Sequence, residues 1–280
     1  MAIIDPELST GPHAAPVDPA EAAAYAAATN DPNPRYADGA ALPPLYAVVP
    51  TWAPVWELGQ AAIPPEWLVM LVHSAQDIHY LQPLVPGATL STVASVLGAR
   101  GNRFGTSFTI RAAATDEAGA TALELYTSCF VRGLTGILDE GDEPPGHEMP
   151  REVRSQRLLE QKLTVDPDQP VRYAAVSGDV NPIHLDADVA RAAGLPGVIN
   201  HGLCTMAMCS GTVVAAGRDG DPADLRRIAV RFTRPVIPGS ELVVSAYDGG
   251  RESDRDVVYF EAKSRGRVVV KDGRAEFAAR

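Results

Sequence analysis

The chain has 280 residues, 46% of them hydrophobic, and its 35 acidic against 24 basic side chains give a formal charge of −11. That length holds one large or two average domains, each with a real core. The acidic balance argues against a general binder of nucleic acid or of an anionic membrane, and leaves only a local basic patch to hold a phosphate.

The start, Met-Ala-Ile-Ile-Asp-Pro-Glu, lacks the basic and then apolar run of a secretory signal, and no apolar stretch is long enough to span a bilayer. The three cysteines, Cys129, Cys204 and Cys209, are too few and too irregularly spaced for a disulfide framework or a structural zinc site. They read as small buried side chains in a reducing compartment, so a cytoplasmic protein is expected.

Two motifs occur twice. Tyr25-Ala-Ala-Ala-Thr-Asn-Asp-Pro-Asn-Pro-Arg-Tyr36 matches Tyr173-Ala-Ala-Val-Ser-Gly-Asp-Val-Asn-Pro-Ile-His184 in its Tyr, Ala, Ala, Asp, Asn and Pro, but ends in Tyr36 where the later copy has His184. Tyr80-Leu-Gln-Pro-Leu-Val-Pro-Gly-Ala-Thr-Leu90 matches Phe232-Thr-Arg-Pro-Val-Ile-Pro-Gly-Ser-Glu-Leu242 in the same way. The copies are offset by 148 residues in the first motif and 152 in the second, so a duplicated unit is the simplest account. Tyr46, Trp52, Trp56 and Trp67 in the first half read as core, or as the lining of an acyl tunnel.

The first half predicts strands over 88–97, 104–113 and 123–132, with Asp116-Glu-Ala-Gly119 as a turn. The acidic, Pro- and Gly-rich run from Thr135 to Pro150 has no apolar period and reads as a linker. The division is therefore 1–134, a linker over 135–155, and 156–280. In the second half Gly202 to Ala216 predicts an apolar helix capped at Gly217. Its small residues Ala207, Ser210, Gly211 and Ala215 allow a close approach to a sheet. Ile228, Val230 and Phe232 alternate with Ala229, Arg231 and Thr233 as in a half-buried strand. Further strands follow over 243–247, 256–264 and 267–270, with Ser264-Arg-Gly-Arg267 as a hairpin. A long helix followed by long antiparallel strands implies an α+β layer in which the sheet wraps the helix.

Gly178 and Pro182 place Asp179, Asn181 and His184 on an irregular segment, where they can point at one spot. An imidazole beside a carboxyl can hold a water and move its protons. Asp-x-Asn-Pro is equally a turn whose side chains cap local backbone, and the earlier copy keeps Asp31, Asn33 and Pro34 while exchanging only the titrating member for Tyr36. His201-Gly202 falls at the helix start, where backbone N–H groups lack acceptors and favour negative charge. Gly202 therefore suits an oxyanion site or simply a tight helix start, and His201 a substrate contact or a local backbone partner. The first half has Pro43-Pro44 near the equivalent place, which lacks those donors. Arg226, Arg227, Arg231 and Arg234 form either a solvated face or a clamp for the phosphates of a nucleotide-like handle.

The run from Tyr173 to His184, followed by Ala192-Ala-Gly-Leu-Pro-Gly-Val-Ile-Asn-His-Gly202, resembles the signature of the MaoC-like dehydratases, the (R)-specific enoyl-CoA hydratases or hydratase 2. The resemblance implies a double hotdog, two tandem units in which an antiparallel sheet wraps a central helix and the sheets join into one, the first degenerate and the second active. It implies reversible hydration of a trans-2-enoyl-CoA to the (3R)-hydroxyacyl-CoA in fatty acid metabolism. By motif position, Asp179 and His184 are the acid and base, Asn181 positions them or the water, and the Gly202 N–H holds the thioester oxygen. His201, Arg231 and Arg234 are assigned to substrate binding, with no metal or redox cofactor and an acyl-CoA as partner; a homodimer is compatible with this reading. The rivals are a hotdog dehydratase or thioesterase acting on acyl carrier protein thioesters, and a non-catalytic acyl-CoA-binding subunit.

Overall fold

The structure, a computed structural model, describes residues 4–37, 39 and 41–279. Along the chain lie β1 (His13–Pro16), α1 (Pro19–Ala28), α2 (Val48–Ala61), β2 (Leu71–Tyr80), β3 (Thr89–Asn102), β4 (Gly105–Thr115), β5 (Thr121–Arg132) and the short β6 (Glu140–Gly141). After them come β7 (Arg157–Thr164), α3 (Gln169–Ser177), α4 (Ala187–Ala192), α5 (Gly202–Arg218), β8 (Leu225–Phe232), β9 (Glu241–Glu252), β10 (Arg255–Ser264) and β11 (Arg267–Ala278). They form two compact units, Met1–Val17 with Pro50–Gly146, and Asp18–Val49 with His147–Arg280.

In the first unit the strands run antiparallel in the order β1-β3-β4-β5-β2, with β6 on β3. Alternation along β3 to β5 turns one face inward, and Leu58 of α2 joins Ile78, Phe108, Ile110, Leu123 and Leu125 in a core where each is at most 1% exposed. The stretch expected to be linker is partly ordered: Gly141 pairs with Gly98, and Arg151–Ser155 makes a turn of 3-10 helix.

The second unit has the order β8-β11-β10-β9-β7, all antiparallel, and α5 packs against β7, β9, β10 and β11. Leu203, Met206, Met208 and Val213 of α5 are at most 4% exposed, and burying each contributes about 1.5–3 kcal/mol relative to leaving it in water. The hairpin between β10 and β11 is as expected: Ser264 pairs with Arg267, and Arg265 (φ 51°) and Gly266 (φ 70°) take the left-handed conformations of a two-residue turn.

Three expectations need correction. The helix does not stop before Gly217 but continues to Arg218, and Asp219 (φ 51°) is the left-handed cap. Gly217 instead permits close packing, since a Cβ there would lie 2.7 Å from the Phe277 ring. On β8, Ala229 is as buried as Ile228 and Val230, all at 0% exposure, so the strand is not half-buried at its centre.

The third concerns Asp18–Val49, which precedes the linker in sequence but belongs to the unit that follows it. Its α1 packs on α3, where the Tyr25 and Tyr173 hydroxyls lie 3.4 Å apart. The Asn30 amide donates to Asp166 Oδ2 (3.0 Å) and Gln169 Oε1 (2.9 Å), and Gln169 donates back to the Ala28 carbonyl. Gln169 is fully buried, so its amide depends on these partners.

Candidate active site

The site is built where α3 ends and α5 begins. Gly178 closes α3 in the left-handed region at φ 75°, and the chain turns without a Cβ penalty into Asp179. Two side-chain caps then fix the loop: Asp179 Oδ1 accepts from the Asn181 N–H (3.2 Å), and Asn181 Oδ1 from the Ile183 N–H (3.3 Å). Pro182 opens a single 3-10 turn that ends at His184. Beneath it Ile183, Ala193 and Ile199 pack together with Val189, Leu195 and Ile237. This apolar brace brings the Ile199 carbonyl to 2.9 Å from His184 Nδ1. The carbonyl can only accept, so Nδ1 carries the hydrogen and Nε2 is left with its lone pair.

His201 directly precedes the first turn of α5 and stacks on His184, with ring centroids 3.7 Å apart and planes 28° from parallel. Its Nε2 donates to the Asp179 carbonyl at 3.0 Å, and Tyr173 covers it with a centroid distance of 4.9 Å. One carboxylate oxygen of Asp179 and one ring nitrogen from each histidine lie within 4.8 Å of one another. Among the described residues this is the one cluster with the donor types of a metal site. Stacked rings keep their in-plane lone pairs roughly parallel instead of converging on one ion. The geometry suits proton transfer better.

Burial sets the protonation. It raises the Asp179 carboxyl above its ordinary 3.8 and lowers the His184 imidazole below 6.5, each partly offset by the attraction between the two. His201 is pushed down to about 2, first by burial and then by the repulsion it would feel when His184 carries a proton, so it stays neutral. Burial thereby shifts both members of the pair toward their uncharged forms.

At the first turn of α5 no side chain caps the backbone, and the first N–H paired within the helix is that of Thr205, to His201 O (3.0 Å). The Gly202 N–H is thus a donor at the positive end of a helix. The site for a Cβ on Gly202 lies 3.3 Å from the Phe232 ring, so the glycine keeps that approach open. The Asn181 Nδ2 has no protein acceptor among the described residues.

Asp179, Asn181, His184, His201 and Gly202 are thus brought together. The arginines are not: none contributes to the electrostatics of Asp179 or His184. Arg227 pairs with Glu276 at 3.1 Å, and Arg226 donates to the Ala223 and Leu225 carbonyls. Arg234 is exposed with one Nη on Val268 O (3.1 Å), and Arg231 is exposed on β8. Sequence reasoning missed the Ile199 carbonyl, which as a backbone group leaves no signal in residue type.

The MaoC like domain family matches residues 148–268, which contain the whole cluster. The chain is 33% identical over 216 residues to 3-hydroxyacyl-thioester dehydratase Y of Mycobacterium tuberculosis, covering 75% of this chain and 73% of that protein. The chain belongs to the MaoC-like dehydratase family. It is 27% identical to the peroxisomal enoyl-CoA hydratase 2 of Arabidopsis thaliana, over 81% of this chain and 76% of that one. The crystal structure of a MaoC-like dehydratase from Phytophthora capsici superposes with a TM-score of 0.80 at 25% identity, covering 98% of this chain and 96% of that chain. This MaoC-like chain has the double hotdog fold, with α5 the central helix of the second unit.

Proposed function

We propose that the protein is an (R)-specific enoyl-CoA hydratase of fatty acid metabolism, adding water reversibly across a trans-2-enoyl-CoA to give the (3R)-hydroxyacyl-CoA. The observation that carries this reading is the convergence of the Asp179 carboxyl and the His184 ring beside the uncapped N-terminus of α5. The relatives' names point the same way, to hydration of enoyl-CoA and dehydration of 3-hydroxyacyl thioesters.

In the hydration direction, water sits between Asp179 and His184, steadied by the free Asn181 amide. His184 Nε2 takes one proton as the oxygen bonds to C3. The electron pair of the C2–C3 double bond shifts toward the thioester, whose oxygen gains negative charge against the Gly202 N–H. C2 then takes a proton from the Asp179 carboxyl. The imidazolium returns its proton to the carboxylate, which restores both groups and leaves water added across the bond. The exposed Arg231 and Arg234 are assigned to the phosphates of the coenzyme A handle. The scheme needs no metal or redox cofactor, because every proton has a side-chain donor or acceptor.

The test is a trans-2-enoyl-CoA incubated with the protein while enoyl-thioester absorbance and free thiol are followed together. Absorbance should fall with no thiol released and a (3R)-hydroxyacyl product. Release of thiol would make the chain a thioesterase, and an unchanged ligand would make it a binding subunit.

A further inference from the structure

We propose that His201 is a positioning residue for this hydration, holding the Asp179 backbone by a hydrogen bond and the His184 ring by stacking so that carboxyl and imidazole stay in register. The inference rests on the roles given above to Asp179 and His184. It departs from a substrate contact, the role that sequence position alone suggests, because His201 is only 1% exposed.

Its surroundings explain why an imidazole is needed there. The Nε2–H reaches the Asp179 carbonyl at 3.0 Å, and one ring face meets His184 at a centroid distance of 3.7 Å. Tyr173 of α3 lies against the ring at 4.9 Å, while Nδ1 is buried with no hydrogen-bond partner among the described residues. A side chain that only filled space would be better apolar, since an unpaired buried nitrogen is costly. What offsets that cost is the Nε2 bond. Among the described residues it is the one side-chain hydrogen bond that reaches from the start of α5 to the peptide carrying the catalytic carboxyl. Neutrality fits the same task, for a charged ring stacked on His184 would oppose the imidazolium that forms when water loses its proton.

Three variants separate these parts in steady-state hydration of a short trans-2-enoyl-CoA. His201→Phe keeps a flat ring but loses the donor, His201→Gln keeps a donor long enough to reach the Asp179 carbonyl, and His201→Asn carries a donor that falls short. His201→Phe should lower kcat about 10- to 100-fold, the scale of a misplacement of roughly an ångström, with KM changed less than about threefold. His201→Gln should recover most of that loss and His201→Asn little. The proposal is overturned if His201→Phe keeps kcat within about threefold of the unmodified protein, or if KM rises while kcat holds, which is the signature of a substrate contact. Should His201→Phe fail to fold, as its thermal melt would show, Gln against Asn decides: a higher kcat for Gln supports the hydrogen bond, and an equal or lower one overturns it. His184→Ala, run alongside, separates the failures. If it too stays active, the mechanism falls; if it is inactive while the His201 variants are not, only the positioning role falls.

Discussion

The segments 31–36 and 179–184 make the same turn in the same unit. Asp31 Oδ1 accepts from the Asn33 N–H at 3.1 Å and Asn33 Oδ1 from the Arg35 N–H at 3.2 Å, matching the bonds of Asp179 and Asn181 at 3.2 and 3.3 Å. Both segments end in a proline-led 3-10 turn. Asp and Asn at these places are therefore explained by local capping alone, and their presence in both copies says nothing about chemistry. The difference lies in what the remaining atoms do. Asn33 donates its amide to the Gly220 carbonyl at 2.7 Å, whereas the Asn181 amide has no protein acceptor among the described residues. Tyr36 is buried at 1% exposure, its hydroxyl near the Asn33 amide without forming a hydrogen bond of good geometry, where His184 offers a free Nε2. A turn becomes a site when its polar groups are left over after folding is satisfied.

The largest expected effect separates the two copies directly. Asp179→Asn preserves the acceptor that caps the turn and removes only the acid, so hydration should fall ~100- to 10,000-fold, as it should in His184→Ala. Asp31→Asn makes the same change in the earlier copy and should leave kcat within about twofold. Equal losses at Asp31 and Asp179 in a steady-state assay would mean that the earlier carboxyl serves the reaction as much as the later one, and that the earlier copy is not inert.

Next in size is the oxyanion donor. Proline at the first position of a helix is tolerated because its missing N–H has no helical partner, and His201 already has the φ −60°, ψ 141° that a residue before proline prefers. Gly202→Pro therefore removes the proposed donor with the helix kept. Gly202→Ala is its steric control, because both add a Cβ near the Phe232 ring. Gly202→Pro should be ~100- to 1,000-fold slower than Gly202→Ala. Equal rates would take the thioester oxygen away from this amide.

The pH profile is a subtler measure. Burial lowers His184, and an imidazolium cannot accept the proton of water, so kcat/KM should rise with pH through an acid limb centred below 6.5. Burial raises Asp179 from 3.8, so the alkaline limb, where the last shared proton leaves, lies above that value and belongs to the pair. An acid limb at or above 6.5 would mean that the attraction of Asp179 outweighs desolvation.

How far this was legible in the sequence depends on the distance over which each feature is determined. The strands over 88–132 and 256–264 appear close to their expected places, because alternation and turn residues act locally, whereas those expected over 243–247 and 267–270 run on to Glu252 and Ala278. β7 gives no such signal, since its pattern leaves every other residue exposed and only Leu159, Gln161 and Leu163 half-buried. The placement of Asp18–Val49 with the second unit depends on Asn30 finding Asp166 and Gln169, a pairing across 136 and 139 residues that no local pattern encodes. In the site, the residue types at 179, 181, 184 and 202 were readable from the motif. The stacking of His201 on His184 and the tautomer set by Ile199 were not, since both arise only when α5 and the loop after α4 are packed together.

The smallest effect is expected at Tyr36, and it tests whether the earlier copy is inert. Its hydroxyl has no hydrogen-bond partner of good geometry among the described residues, so Tyr36→Phe removes a group that folding left unpaid. Hydration should be unchanged, and thermal unfolding should show a stability change within about 1 kcal/mol, on the stabilising side. Tyr36→His in the His184→Ala background is the sharper form, for it supplies an imidazole beside Asp31. It should still restore nothing. Asn33 is committed to the Gly220 carbonyl, and the 3-10 turn Pro44–Ala47 begins with a proline that has no N–H to offer. Any regained hydration would show that one imidazole is all the earlier copy lacks, and that a free amide and a helix-end donor are less necessary to the reaction than the geometry around His184 implies.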